Sequence, residues 1–485
     1  MSVTSALHSA LSGITATSRQ AEALSSNVAN ATTPGYARRA VSLSAQSVGG
    51  TGQGVTVNGI TRDVDLFLLN DRRAAEANAA DRGARSDFLV RLEDVLGDPQ
   101  DQGSLGARLN LLDETLLEGA SHPESEARLA AVANAARALA LGLNQASDAI
   151  QVERQKADRD IAAAVGALNT TLRQVRELNS QIRSFSGAGN DISALLDQRQ
   201  QLVDRIAEIV PVRELPRDHN QVALITTGGA VLLDGNEAEF GFTPVSTIVP
   251  EMTLASGGLS GLTINGRPMA TAGTASLIQG GSLAALFAVR DELAVDGQAR
   301  LDAMALDLYQ RFADAGVDPT LTAGNPGLFT DGGGPYLGPD EVGLSGRLQL
   351  NALVDPRQGG SVLRLRDGLE SVTVGPTGNA AILLAMTRAL NDPRLPASPA
   401  VTATARSAAG LASDVLSTVS TARLAADAET AFTRARHLAL TDLEAANGVD
   451  IDAEMQSLLV IEKNYAANAK VIQTVDEMIS TLLGL

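Results

Sequence analysis

The sequence predicts a mainly α-helical, elongated, multi-domain protein with a β-rich insert. Both ends of the chain carry a narrow apolar stripe that repeats in alternating steps of four and three residues, the spacing of a coiled-coil helix. The middle is dense in glycine, and its apolar residues alternate as they do in strands. We expect the N- and C-terminal helices to pair as a coiled coil, beside a domain of long bundled helices and a small β-rich outer domain.

The terminal stripes are too narrow for the core face of a globular helix, so each is expected to meet another helix. The N-terminal helix carries only two formal charges, Arg19 and Glu22, which fits either burial among other helices or disorder until partners arrive. The N-terminal stripe consists of Val3, Leu7, Ala10, Ile14, Thr17, Ala21, Leu24, Val28 and Ala31. The C-terminal stripe consists of Leu458, Ile461, Tyr465, Asn468, Ile472, Val475, Ile479 and Leu482.

The first helix is expected to stop at Asn30 to Thr33, because Thr33 precedes Pro34 and is pushed toward an extended conformation. From Ala40 to Ile60 the period changes to two, which predicts a β-hairpin. The glycines from Gly49 to Gly54 lie between its strands, and Asn58-Gly59 is expected to form a tight turn.

A set of long helices is expected next. The longest starts with Pro123 in its first turn, runs to Ser184 and spans roughly 90 Å. Its apolar stripe slips in phase between Glu153 and Ile161, and Gly187-Ala188-Gly189 ends it. The other predicted helices are Asp65 to Leu96, Ser104 to Glu118 and the antiparallel Asn190 to Val210.

The pattern of the insert from Pro211 to Gly281 predicts strands, with hairpin turns at Asp234-Gly235 and Asn265-Gly266. Ser282 is expected to cap a helix that runs to Ala313, and residues 314 to 340 to form an extended surface loop. A short helix near 380 to 390 and a long one from Pro399 to Ala446 follow. The predicted domains are 1–36 with 449–485 (coiled coil), 37–210 with 282–313 and 396–448 (bundle with the hairpin), 211–281 (β-rich insert) and 314–395 (extended and mixed).

Composition limits the possible functions. The net charge of −18 argues against nucleic acid and against an anionic membrane surface as partners. The chain has no cysteine, which excludes disulfides and thiolate chemistry, and no apolar run long enough to insert into a membrane. The four histidines have no ligand spacing, and we predict no catalytic, cofactor or metal site. No cleavable signal peptide is visible.

Polar residues within the helices carry the remaining predictions. Asn468 lies on the C-terminal stripe, where a buried amide can fix register, and Asn27 and Asn30 either do the same or end their helix. The triplet Asp197, Gln198 and Arg199 forms either a buried ionic network or a solvated helix face, and its spacing does not choose between the two.

Two long motifs resemble those of the bacterial flagellar axial proteins, the rod, hook and hook-associated family. One joins Ala10-Leu11-Ser12-Gly13 to the stretch from Ser26 to Tyr36, and the other runs from Asn464 to Ile472. In the middle, Leu195 to Arg199 and Gly280 to Leu283 resemble the hook–filament junction branch of that family. The ending from Asp476 to Leu483 is also similar to that branch.

The resemblance implies a structural, non-enzymatic subunit of the extracellular flagellum, secreted by the type III apparatus without signal cleavage and needed for filament assembly. Its implied partners are copies of itself, hook protein, a second hook-associated protein on the filament side, and an export chaperone on the C-terminal helix. The expected assembly residues are Val3, Leu7, Ile14, Leu24, Val28 and Asn30, with the C-terminal stripe from Leu458 to Leu482. The alternatives are a hook or rod subunit, and an adhesin or enzyme activity in the insert.

Overall fold

The computed structural model describes residues 3–48, 51–97, 101–273, 275–338 and 341–483. Its helices are α1 (Val3–Ala29), α2 (Leu66–Leu96), α3 (Leu105–Ser121), α4 (Glu126–Gly187), α5 (Ser193–Ile209), α6 (Gly281–Ala288), α7 (Ala294–Phe312), α8 (Leu344–Arg347), α9 (Arg364–Asp367), α10 (Ala381–Asn391), α11 (Ala408–Ala446) and α12 (Ile451–Leu483). Its strands are β1 (Arg38–Val48), β2 (Thr51–Asp63), β3 (Val212–Pro216), β4 (Val222–Thr226), β5 (Val231–Asp234), β6 (Asn236–Glu237), β7 (Phe240–Gly241), β8 (Leu262–Ile264), β9 (Arg267–Met269), β10 (Phe329–Asp331) and β11 (Leu348–Leu350). The predicted mainly α-helical fold class, with long helices at both ends, is confirmed.

Helix α4 is the longest of these elements, and its 62 residues span ~93 Å. The Ser125 side chain accepts a hydrogen bond from the Arg128 amide and caps the helix, so Pro123 precedes the first turn instead of lying in it. The apparent phase slip is also explained. Arg154 and Asp158 continue the buried face between Ile150 and Ile161, so that face is unbroken although two of its members are charged.

Strands β1 and β2 form the expected antiparallel hairpin, but Asn58-Gly59 is not its turn. Ser42 pairs with Gly59 and Leu43 pairs with Val57, which leaves Asn58 as the extra residue of a β-bulge. The hairpin closes between Val48 and Thr51, and Gly49 and Gly50 lie outside the described residues.

The β-rich segment forms two small antiparallel sheets, in the orders β3-β4-β5-β6 and β7-β8-β9. The Asn265-Gly266 turn joins β8 to β9 as expected, with positive φ angles of 49° and 75°. Their apolar residues share one core with the C-terminal part of α4 and with α5, and Leu168, Val203 and Leu224 lie at its centre.

A second core lies between α3, the N-terminal part of α4, α7, α10 and the first half of α11. The expectation of a surface loop over 314 to 340 is wrong for Leu328 and Phe329, which are fully buried in this core, whereas Leu337 is 83% exposed. The Phe329 ring packs edge-on against Phe312, with 5.4 Å between ring centroids. Burial of these side chains ties the irregular segment to the bundle.

Two helix starts differ from the expectations. Helix α6 begins at Gly281, and Ser282 donates a side-chain hydrogen bond to the Glu208 carbonyl instead of capping the helix. Helix α11 begins at Ala408, where Ser407 caps it, rather than directly after Pro399. In both cases the residue at which the helix begins differs from the one that has the strongest sequence signal for a helix start.

Candidate assembly site at the paired ends

Helices α1 and α12 pack against each other and bring the two ends of the chain together. Gly13 and Asn468 mark their close approach, because a Cβ placed on Gly13 would lie only 2.6 Å from Nδ2 of Asn468. The Asn468 side chain therefore fills the space left by the missing side chain of Gly13. This contact gives a geometric basis for the predicted register role of Asn468, which stays a prediction.

The C-terminal stripe turns mainly toward α1, and we call it the inner stripe. Among the predicted assembly residues, Leu24 and Val475 are buried, whereas Tyr465 and Ile479 are exposed. The side chain of Leu482 lies outside the described residues. The half-buried members are Val3, Leu7, Ile14, Val28, Asn30, Leu458, Ile461, Asn468 and Ile472.

Helix α12 carries a second stripe, which the sequence analysis missed. Val460, Asn464, Ala467, Val471, Thr474 and Met478 follow the same alternation of four and three, and all six are exposed. Val460 and Met478 are 57% and 49% exposed. We call this set the outer stripe. Its C-terminal half lines an open groove together with Val3 and Ala6 of α1. The outer stripe is not evident from the strongest apolar period of the sequence, because the polar residues Asn464 and Thr474 interrupt it.

A buried polar cluster fixes the N-terminal motif to the start of α12. Glu454 is only 1% exposed, and its carboxylate accepts hydrogen bonds from Nε of Arg38 at 2.6 Å and from Nδ2 of Asn27 at 3.2 Å. Oδ1 of Asn27 accepts from the Tyr36 hydroxyl and from the Arg39 amide, both at 2.9 Å. Asn27 therefore joins α1, the turn that follows it, β1 and α12 through one side chain.

Glu454 was not among the predicted residues, although the pattern contains a signal for it. Extending the inner stripe backwards by one step of four from Leu458 reaches position 454. A carboxylate at such a position has to be paired, because burying an unpaired charge is costly. Asn30, by contrast, donates its side-chain amide to the Ser26 carbonyl at 2.9 Å, which fits the alternative role of ending the helix.

A second ionic cluster joins the hairpin to α5. Asp197 accepts hydrogen bonds from Nη2 of Arg39 at 3.0 Å and from Nε of Arg62 at 2.9 Å. Asp197 and Arg199 are buried, so the network alternative is the one that the structure adopts for these two. Gln198 is exposed, and Gln200 takes the buried position instead, with Oε1 accepting from Arg62 at 2.9 Å.

Arg199 is the buried cation next to this cluster. Burial lowers the pKa of its guanidinium to about 10, with Glu214 opposing the shift and the nearby Arg62 and Arg73 adding to it. The group remains charged at neutral pH and donates to Oδ1 of Asn179 at 3.0 Å and to the Asn220 carbonyl at 2.6 Å. The cluster thus links the hairpin, α5 and the strands that follow it.

Among the described residues, no group of three or more histidine or acidic side chains is arranged to hold a metal ion. In the same part of the chain, no helix is both long and apolar enough to cross a membrane.

Three protein-family models match successive parts of the chain. The model described as the flagellar hook-associated protein FlgK helical domain matches residues 89–327. The ends match two others: the flagella basal body rod protein model covers residues 7–36, and the flagellar basal body rod FlgEFG protein C-terminal model covers residues 443–485.

Flagellar hook-associated protein 1 of Bacillus subtilis (strain 168) is 24% identical to this chain over 504 aligned residues, which cover 97% of this chain and 96% of that protein. The chain resembles the flagellar hook-associated protein 1 family over nearly its whole length. The Salmonella typhimurium member is 28% identical over 243 residues, which cover 49% of this chain and 44% of that protein. Members of this family are structural components of the flagellum and not enzymes.

A solved structure titled "The structure of the flagellar hook junction protein FlgK from Burkholderia pseudomallei" aligns with a TM-score of 0.46 and 20% identity. The alignment covers 54% of this chain and 47% of that one. At this level of similarity the alignment supports no statement about the site.

Proposed function

We propose that the chain is a structural subunit of the hook–filament junction and that its paired ends are the assembly element. The observation that carries the proposal is that α12 has two stripes, of which the inner one is buried or half-buried at most positions and the outer one is exposed throughout. A helix with two apolar stripes can pack against a partner on each side. The outer stripe is then the face that a neighbouring copy covers.

The character of α1 supports the same arrangement. Its two formal charges, Arg19 and Glu22, pair with each other at 2.9 Å, so the rest of the helix presents small and apolar side chains. Such a helix tolerates close approach by other helices, because no charged group has to be desolvated along most of its length.

The partners in this proposal are those that the family resemblance implies. Copies of the chain form a short ring, with hook protein on one side and a second hook-associated protein on the filament side. The chain reaches the extracellular flagellum through the type III apparatus without signal cleavage. Before export, a cytoplasmic chaperone covers α12 by receiving the helix in an apolar groove.

Deleting the gene tests the proposal. We expect hooks without filaments, together with flagellin released into the medium, because the filament then lacks its base. Normal filaments in the deletion strain would refute the junction role, and re-expression of the unsubstituted chain is the control.

A hook or rod subunit is the second candidate, because the models that match both ends describe rod proteins. The two candidates differ in copy number, since a junction ring holds only about one helical layer of subunits. Quantitative mass spectrometry of purified hook–basal bodies distinguishes them. A count close to that of hook protein would favour the second candidate.

A further inference from the structure

Phe67, in the first turn of α2, is the most exposed aromatic side chain in the described part of the chain, at 87%. The Asp65 carboxylate caps this helix by accepting hydrogen bonds from the Phe67 and Leu68 amides, so the backbone beneath the ring is held firmly. A fixed and exposed phenyl ring is the kind of group that anchors protein interfaces.

A cleft of about 190 Å³ lies beside the same turn. Leu66 and Leu69 of α2 line one wall, and Leu196 of α5 and Val222 of β4 contribute to the other. An apolar cavity of roughly 150 Å³ is large enough to bind benzene, so this cleft has room for one phenyl ring.

Phe67 cannot fill the cleft of its own chain. Successive helix residues are rotated by about 100°, which turns Phe67 about 130° away from the mean direction of Leu66 and Leu69. The ring and the cleft therefore lie on different sides of the same helical turn. A contact between Phe67 of one copy and the cleft of another joins two different surfaces, and heterologous contacts of this kind form a ring when the rotation between copies closes.

The lining of the cleft also suits an aromatic ring. It includes Arg62 and Arg199, and guanidinium groups bind the faces of aromatic rings. The chain uses this pairing elsewhere, because the Arg290 guanidinium lies 5.1 Å from the ring centroid of Phe287 and 5.4 Å from that of Phe242.

We infer that Phe67 inserts into this cleft on the next copy of the chain. The inference rests on the proposed junction ring and adds to it a contact outside the terminal helices. Arg62 and Arg199 also belong to the ionic clusters around Asp197 and Asn179, so the cleft that receives the ring is held by the same residues that join the hairpin to the bundle.

The absence of cysteine allows a clean cross-linking test. Flagella are isolated from cells that express the Asp71→Cys/Gln221→Cys chain in place of the natural one, and are treated with a short bismaleimide. Asp71 is exposed one turn after Phe67 on the same face of α2, so the phenyl ring is kept. Gln221 lines the cleft, and we expect a ladder of linked copies. The matched control is Asp71→Cys/Val372→Cys, because Val372 is 97% exposed and does not line the cleft.

A ladder from the chain with a cysteine in the cleft, and none from the control chain, supports the contact. Monomers only, or equal ladders in both pairs, would overturn it while leaving the junction role intact, provided that the chain is present in the flagella. If even the unsubstituted chain is absent from isolated flagella, the proposed function fails and the contact with it.

A second measurement does not depend on cross-linking. Phe67→Ser should lower the amount of chain per flagellum about tenfold, whereas Phe67→Leu should keep most of it, since an apolar side chain still fills the cleft. Both variants should melt as the unsubstituted chain does, because the ring makes little contact within its own copy. Equal incorporation of the Ser and Leu variants would contradict the inference.

Discussion

Replacing Glu454 with alanine should loosen α12 from α1 and the hairpin without unfolding the bundle. The change removes a charge-assisted hydrogen bond from Arg38 and a second hydrogen bond from Asn27. Asn27 keeps the Arg39 carbonyl as an acceptor at 3.0 Å, and Arg38 is 37% exposed and can be hydrated, so no buried group is left unpaired. A charge-assisted hydrogen bond contributes about 1.5–3 kcal/mol, from which we expect a loss of about 2 kcal/mol.

Amide hydrogen exchange measures this loss at individual residues. If α12 opens as a local unit, 2 kcal/mol corresponds to about 30-fold faster exchange of its amides. The central amides of α4 should exchange at an unchanged rate, because Leu139 and Leu143 belong to a core that α12 does not enter.

The matched control is Glu462→Ala, which removes an exposed carboxylate from the same helix. We expect exchange in α12 to change by no more than about fivefold in this variant, since an exposed charge contributes about 0–1 kcal/mol. Unchanged exchange of α12 in Glu454→Ala would refute the anchoring role of Glu454. A uniform acceleration that includes α4 would show that the ends and the bundle unfold as one unit.

Three further predictions concern separate parts of the chain. Gly13→Ala forces the Asn468 side chain out of its place, so adding Asn468→Ala should raise the free energy of unfolding in urea above that of Gly13→Ala alone, and an equal or lower value would contradict the contact. Burial raises the pKa of Asp302, so the stability that this group contributes is present below the ordinary carboxyl pKa and is lost as pH rises through the raised one. Asp302→Asn should therefore flatten the fall of unfolding free energy across this pH range, and an unchanged slope would contradict the assignment. Removing Val471 to Leu485 should abolish incorporation into flagella and leave the melting of the bundle cooperative, whereas normal incorporation would refute the role of the tail.

Sequence patterns predicted the elements whose signals are local. The stripes of α1 and α12, the Asn265-Gly266 turn and the glycine end of α4 each depend on residues within a few positions of one another. Helix starts were less accurate, as Pro123 and Ser282 show, because several residues near each start can terminate the hydrogen-bond ladder and tertiary contacts choose among them.

The polar clusters could not be predicted in the same way. Glu454 meets Asn27 across 427 positions and Asp197 meets Arg39 across 158, and no periodicity connects residues so far apart. Asn58-Gly59 shows a related limit, since the same dipeptide that closes a hairpin elsewhere forms a bulge where the strand pairing continues past it.

An electron-microscopic reconstruction of the hook–filament junction tests the central claim most directly. We expect the outer stripe of α12, from Val460 to Met478, to be covered by terminal helices of a neighbouring copy. The inner stripe should stay against α1 of the same copy, as it is in the single chain. A reconstruction in which the outer stripe faces open solvent along its length would contradict the account.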